Sequence, residues 1–136
     1  MVAGIGIDVV QIDAFAALLN EPGTVFALRT FTSRERQAAS ARAAAGSGRP
    51  EMHLAARYAA KEACVKALSQ ALAPGPLPRA AADLLEIEVR CDAEGRPSLL
   101  LSGRVRGLAE QAGVTGVHVS LSHDGGVATA IVLVER

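Results

Sequence analysis

Aromatic residues are nearly absent from this sequence of 136 residues, which has no tryptophan, one tyrosine and three phenylalanines. Half of the residues are hydrophobic, so the core of one domain, residues 1–136, has to be built from Ala, Val, Leu and Ile. Aromatic platforms on which nucleic-acid bases stack are missing as well, which disfavours a nucleic-acid-binding function.

Cysteine is also scarce, since only Cys64 and Cys91 are present. They have no zinc-ligand spacing and cannot build a disulfide framework, so we expect both to be small apolar residues of the interior. No secretory signal precedes the first strand-like run, and no uncharged run approaches the roughly twenty residues of a membrane helix. These absences predict a soluble, cytoplasmic protein.

Common catalytic and nucleotide-binding motifs are missing too. The sequence has neither a Gly-x-x-x-x-Gly-Lys-Ser/Thr loop nor a Gly-x-Gly-x-x-Gly fingerprint. Ser122, His123 and Asp124 are consecutive and therefore cannot form a nucleophilic triad. A turn histidine such as His123 can contact an anion, although it is more often only a polar surface residue.

Charge is unevenly distributed along this neutral chain. Residues 29–66 carry eight cations and three acids, a net charge of +5. This basic middle third suggests an anionic ligand or partner, and the alternative is a solvated, charged surface.

The most informative segment is residues 54–72, which contain no glycine or proline and are predicted to form a helix. Its polar residues fall into two neighbouring stripes with i, i+4 spacing: Tyr58, Glu62 and Lys66, and Arg57 and Lys61. A carboxylate one turn before a lysine suits a divalent metal ion held beside a phosphate. The alternative is a surface Glu–Lys pair worth a few tenths of a kcal/mol.

Asp8 is the anomaly of an apolar strand predicted over Val2–Val10. A carboxylate there is costly unless it is paired, hydrogen-bonded or bound to a metal, and the alternative is a cap of the following helix. With no zinc motif, Asp8 and Glu62 together indicate Mg²⁺, a cation that prefers oxygen ligands.

The remaining pattern mixes helices with hairpins and predicts an α+β fold, in which a mainly antiparallel sheet packs against the long central helix. Loops are expected at residues 43–50, which we predict to be mobile, and at the proline-rich residues 74–78. The other predicted elements are helices over 12–19, 32–44 and 103–112, an amphipathic segment over 24–30, and strands over 85–91, 97–101, 117–122 and 127–134. Thr32 and Glu35 have capping-box spacing at the start of the second of these helices.

Three segments together resemble the holo-acyl-carrier-protein synthases, the small group of 4′-phosphopantetheinyl transferases. They are Gly4–Val10 (GIGIDVV), Ala56–Ala67 (ARYAAKEACVKA) and His118–Asp124 (HVSLSHD). The second matches the family's aromatic-x-x-Lys-Glu-Ala-x-x-Lys signature. The resemblance extends over the whole chain and is closest to actinobacterial members.

The resemblance implies an enzyme that transfers phosphopantetheine from coenzyme A to a serine of apo-acyl-carrier protein and releases 3′,5′-ADP, in fatty acid or related polyketide biosynthesis. It implies Mg²⁺, or Mn²⁺, held by Asp8 and Glu62, and a homotrimer with active sites between subunits. The implied catalytic residues are Asp8, Glu62, Lys66 and His123, with Glu62 acting through a water as the candidate base. The implied coenzyme A-binding residues are Arg57, Lys61, Lys66, Ser122 and His123.

One departure from the family concerns the helix after the Asp8 strand, Ile12–Leu19, where many relatives carry arginines that bind the carrier. Here the helix has no cation, so either arginines elsewhere compensate or the partner is a carrier domain with a less acidic face. The candidates are Arg29, Arg34, Arg36 and Arg42.

Two other functions remain open at this point. One is a non-catalytic, coenzyme A-binding regulator on the same fold. The other is a Mg²⁺-dependent nucleotide pyrophosphatase that would hydrolyse coenzyme A without a carrier.

Overall fold

A 23-residue helix runs through the middle of the molecule and contacts most of the other elements. The computed structural model describes residues 1–75 and 83–136. In chain order the elements are β1 (Val2–Gln11), α1 (Ile12–Leu19), α2 (Phe26–Thr30), α3 (Ser33–Ala44), α4 (Pro50–Leu72), β2 (Ile87–Cys91), β3 (Pro97–Leu101), α5 (Gly103–Gln111), β4 (Gly116–Asp124) and β5 (Val127–Glu135).

The strands form two antiparallel units. One is a three-stranded sheet with the order β1-β5-β4, and the other is the β2–β3 hairpin. Helix α4 packs against β1 and β5 on one face of the larger sheet. The predicted α+β fold is therefore confirmed, with the strands divided between two units.

Several element boundaries differ from the prediction by a residue or more, and two of the differences have clear local reasons. Helix α4 begins at Pro50, because proline is well suited to the first helical position, and this shortens the predicted loop to residues 45–49. Strand β2 begins at Ile87, because Leu84–Glu86 forms a 3₁₀ turn that the Asp83 side chain caps through the Leu85 N–H. The predicted proline-rich connection extends into residues 76–82, which lie outside the described residues.

The core lies around the apolar face of α4, where Ala60, Cys64 and Leu68 are all buried. Cys91 corrects our prediction for the two cysteines, because it is exposed. It is the last residue of β2 and lies at the mouth of a cavity rather than in the core.

Two glycines allow α4 to approach β1 closely. A Cβ atom on Gly4 would lie 2.1 Å from the carbonyl oxygen of Ala67, and one on Gly6 would lie 1.9 Å from that of Ala63. Any side chain would collide with the helix backbone, so this interface requires glycine at both positions.

The opposite face of the larger sheet is open and apolar along β1. Ile5, Ile7 and Val9 are about half exposed, and Ile131 of β5, which pairs with Ile7, is 41% exposed. A contiguous apolar surface of this kind on a sheet usually indicates a contact with another molecule. Within residues 1–75 and 83–136, no helix has the length and hydropathy that crossing a membrane requires.

Replacing Gly6 by alanine tests the close approach of α4 to β1. The new methyl group would collide with the Ala63 backbone, so we expect Gly6→Ala to lower the free energy of unfolding by about 3 kcal/mol. Urea denaturation would measure the loss.

The matched control is Gly107→Ala in α5, where the added Cβ meets nothing within 4 Å. We expect this variant to gain about 0.5–1 kcal/mol from helix propensity. Equal stability of the Gly6→Ala variant and the wild type would contradict the packing described here.

Candidate active site

A polar stripe of α4 lies along the free edge of β1. The Gln70 side-chain oxygen accepts a hydrogen bond from the Ile5 N–H at 2.8 Å. One turn earlier, Lys66 Nζ donates to the Ile7 carbonyl at 2.8 Å and to Asp8 Oδ1 at 3.1 Å. Polar side chains of α4 thus bind free N–H and C=O groups of the edge strand. Lys66, a member of the stripe that sequence periodicity predicted, also pairs with Asp8.

Asp8 and Glu62 line the same open groove, between β1, α1 and α4. The Asp8 side chain is 19% exposed, and that of Lys66, its ion-pair partner, is 53% exposed. Tyr58 also lines the groove, and burial raises the pKa of its phenol to about 12, with the Glu62 carboxylate acting in the same direction. The phenol therefore remains protonated beside Glu62 at neutral pH.

The donor set of this groove fits Mg²⁺. Two carboxylates face it, and no cluster of three or more His, Cys, Asp or Glu side chains able to hold a metal ion occurs within the described ranges. Two protein ligands are enough for Mg²⁺, which usually keeps several waters and binds substrate phosphates directly. They are too few for a closed structural zinc site.

A second cavity lies on the other flank of α4, between α3, the β2–β3 hairpin and β4. Its charged and polar lining includes Arg42, His53, Arg57, Ser122 and His123. The described part of this lining contains no carboxylate. A concave surface with two arginines, two histidines and no acid is suited to an anion.

Arg57 is the buried cation of this second cavity, with 3% of its surface exposed. Its Nη1 donates to the His53 carbonyl at 3.1 Å, whereas its Nε is enclosed and has no partner among the described residues. Burial lowers the pKa of Arg57. An oxyanion in the cavity would supply the missing acceptor and compensate the buried charge.

Ser122 and His123 line the same cavity from the end of β4. Both side chains are exposed. Because successive strand residues project to opposite faces of the sheet, the two side chains face in different directions. His123 pairs with Ala128, and the strand then turns at Gly125 and Gly126, which both have positive φ.

The position of Lys61 contradicts its implied role as a coenzyme A-binding residue. Its side chain is fully buried, and Nζ donates to Glu35 Oε1, the Leu84 carbonyl and the Ile87 carbonyl, each at 2.7 Å. All three ammonium hydrogens are therefore used inside the core. Burial lowers the pKa of Lys61, while the charge of Glu35 acts in the opposite direction.

Glu35 explains why a lysine is tolerated there. Its carboxylate accepts hydrogen bonds from the Thr32 N–H at 3.0 Å, which completes the predicted capping box of α3, and from the Val89 N–H at 3.0 Å. The pair therefore ties α3, α4 and β2 together. Sequence spacing predicted the cap but gave no signal for the long-range partner of Glu35.

Within residues 1–75 and 83–136, the groove of Asp8 and Glu62 (the carboxylate groove) and the cavity of Arg42 and Arg57 (the cationic cavity) have no lining residue in common. Helix α4 packs on the sheet between them. Asp8 is on β1 and His123 is on β4, with β5 in between, so two strand spacings of roughly 5 Å separate the strands.

Two residues of the cationic cavity were missed by sequence reasoning. His53 lies one turn before Arg57, but the helix was predicted to begin only at Leu54. Arg42 was considered only as a carrier-docking residue, because nothing local in the sequence places the end of α3 beside the hairpin.

Comparison with known proteins gives a consistent family assignment. The family model described as the 4′-phosphopantetheinyl transferase superfamily matches residues 4–132. A holo-[acyl-carrier-protein] synthase of Frankia casuarinae is 44% identical over 135 residues, covering 98% of each chain. The synthase of Mycobacterium tuberculosis H37Rv is 40% identical over 140 residues, covering 98% of this chain and 97% of the relative.

Solved structures give the same family assignment. An ACPS–CoA complex of Chronobacterium ammoniagenes superposes with a TM-score of 0.86 at 41% identity, covering 96% of this chain and 95% of that one. A holo-(acyl-carrier-protein) synthase of Bacillus anthracis, in complex with CoA (3′,5′-ADP), has a TM-score of 0.70 at 31% identity, covering 98% and 96%.

The structural role of Lys61 can be tested with Lys61→Met and the double variant Lys61→Met/Glu35→Gln. The single variant leaves a buried carboxylate without its counter-ion, so we expect it to lose about 3–5 kcal/mol of unfolding free energy. The double variant buries no charge and should recover a large part of that loss. Urea denaturation measures both. If Lys61→Met were as stable as wild type but had a raised KM for coenzyme A, Lys61 would be a phosphate ligand after all.

Proposed function

The chain belongs to the 4′-phosphopantetheinyl transferase superfamily, and we propose that it transfers the 4′-phosphopantetheine group of coenzyme A to a serine of an apo-acyl-carrier protein, releasing 3′,5′-ADP. The observation that carries the proposal is the pair of complementary sites on α4. The carboxylate groove suits a metal-bound pyrophosphate, and the cationic cavity, whose described lining contains no acid, suits a further phosphate of the same substrate. Relatives named holo-[acyl-carrier-protein] synthase and a related structure with bound CoA support it.

In this reaction the serine oxygen forms a bond to the phosphorus that bears the pantetheine arm, and the bond from that phosphorus to the 3′,5′-ADP oxygen breaks. Asp8 and Glu62 are the residues that would hold Mg²⁺, or Mn²⁺. When bound, the ion neutralises the charge of the pyrophosphate and of the leaving phosphate. The remaining task of the protein is to position the substrate and to supply further positive charge.

Lys66 and Glu62 supply the proposed catalytic contacts of the chain itself. The Lys66 ammonium is half exposed and paired with Asp8, so it is in position to contact a phosphate oxygen as a mobile point charge. Glu62 is only partly buried and lines the groove, where its carboxylate would accept the proton of the attacking serine through a water.

The nucleotide end of coenzyme A is assigned to the second cavity. Arg57 would bind the 3′-phosphate from inside through its unpartnered guanidinium nitrogen, and His123 would bind it from the end of β4. Ser122 is the neighbouring hydrogen-bonding group.

A homotrimer with active sites between subunits is the assembly we propose. Coenzyme A links its pyrophosphate and its 3′-phosphate through a single ribose, whereas the two sites lie on opposite flanks of α4 in one chain. A neighbouring copy can bring its cationic cavity to the carboxylate groove. The exposed apolar face at Ile5, Ile7 and Val9 is available for the subunit contact. The cytoplasmic location and the biosynthetic pathway remain predictions.

Intact-mass measurement of an apo-carrier protein incubated with this protein, coenzyme A and Mg²⁺ tests the proposed function. The carrier should gain one phosphopantetheine, and chelation of the metal should stop the reaction. Glu62→Gln and Asp8→Asn should lower kcat by about 10²–10³, because each removes charge that acts on the transition state. Glu110→Gln, which alters an exposed carboxylate of α5, is the control and should keep full activity.

The alternatives give different results in the same experiment. A non-catalytic regulator would bind coenzyme A and leave every carrier unmodified. A pyrophosphatase would hydrolyse coenzyme A in the absence of any carrier. Either result would overturn the proposed transfer.

A further inference from the structure

We propose that Arg42 is a specificity-determining residue, which recognises the 3′-phosphate of coenzyme A together with Arg57. This inference rests on the proposed function, because it concerns the nucleotide end of that substrate. It removes Arg42 from the candidates for carrier docking.

Arg42 lies in the last turn of α3, at the rim of the cationic cavity. Its guanidinium rests against the turn of the β2–β3 hairpin, where a Cβ atom built on Gly95 would lie 3.2 Å from Nη2. Gly95 has φ of +82°, so the hairpin turn requires glycine for its own conformation. The same missing side chain leaves room for the guanidinium at the cavity wall.

The charge of Arg42 is not compensated within residues 1–75 and 83–136. The ion pairs of the neighbouring arginines are Arg90 with Glu88 and Arg96 with Asp92, whereas Arg42 has none in those ranges. Burial is the main cause that lowers the pKa of Arg57, and the charge of Arg42 lowers it further, whereas Cys91 and Glu35 act in the opposite direction. Two guanidinium groups therefore line one cavity whose described lining has no carboxylate. Asp92 lines the neighbouring cavity with both arginines, but it is paired with Arg96. A dianion between Arg42 and Arg57 would stabilise this arrangement.

Coenzyme A offers two clusters of negative charge, and the structure separates the places that can bind them. The pyrophosphate is assigned to the groove of Asp8 and Glu62, on the other flank of α4, with Lys66 paired to Asp8. The only other charged group of the substrate is the 3′-phosphate. A guanidinium at the rim and a buried one behind it match its several oxygens, because each can donate two parallel hydrogen bonds.

The test compares Arg42→Ala with Arg34→Ala, using coenzyme A and dephospho-coenzyme A as substrates. Arg34 is on the same helix and lines only a neighbouring cavity, so its variant removes the same charge from outside the nucleotide site. We expect Arg42→Ala to raise the KM for coenzyme A about tenfold or more, as loss of a charged hydrogen bond would, with kcat little changed. The KM for dephospho-coenzyme A should stay the same, so discrimination between the two substrates falls. Arg34→Ala should retain the wild-type discrimination.

Calorimetry of 3′,5′-ADP and 5′-AMP binding tests the inference without a carrier. Failure of the inference is therefore distinguishable from failure of the proposed transfer reaction. Arg42→Ala should weaken 3′,5′-ADP about tenfold and leave 5′-AMP unchanged. Unchanged preference for the 3′-phosphate would overturn the inference. So would a rise in the carrier KM alone, which would make Arg42 a docking residue. An equal loss for both nucleotides would also overturn it, because it would indicate a general electrostatic or structural effect.

Discussion

The close approach of α4 to β1 is the contact on which the rest of the molecule depends. At Gly4 and Gly6 the strand has no side chains on the helix side, and the carbonyl oxygens of Ala67 and Ala63 occupy the space that Cβ atoms would need. Asp8 is the next residue with the same orientation along the strand. Its carboxylate therefore reaches the polar stripe of α4, where Lys66 binds it and Glu62 shares its groove. Backbone packing thus fixes the geometry of the groove lined by Asp8 and Glu62.

A buried ion pair determines how α3 and the β2–β3 hairpin are arranged on the other flank of α4. Lys61 uses its three hydrogens for Glu35 and for two carbonyl groups before and at the start of β2, while Glu35 also caps α3 and binds the Val89 N–H. The helix, the capped α3 and the hairpin are held in one arrangement as a result. That arrangement brings Arg42 of α3 and Gly95 of the hairpin to the cavity of Arg57. Lys61 and Glu62 are adjacent in sequence, but Lys61 is bonded in the interior, whereas Glu62 lines the carboxylate groove.

Local patterns predicted much of this molecule. The periodicity of residues 54–72 identified the helix and its Tyr58–Glu62–Lys66 stripe, and the spacing of Thr32 and Glu35 identified the start of α3. Such local patterns could not predict the long-range contacts. Nothing local distinguishes Lys61, which is buried, from Lys66, which is exposed, because the difference depends on Glu35, 26 residues away. The cavity position of Arg42 likewise depends on a hairpin turn some fifty residues further along the chain.

The central claim is that each chain carries two halves of an active site on opposite flanks of α4, and that neighbouring copies complete it. Co-expression of two inactive variants, Glu62→Gln and His123→Ala, tests this claim most directly. If the halves come from different subunits, random mixing leaves about a quarter of the sites with both native halves, and transfer to the carrier should return to about that fraction of wild type. If each site is formed within one chain, the mixture should be as inactive as either variant alone, which would contradict the account.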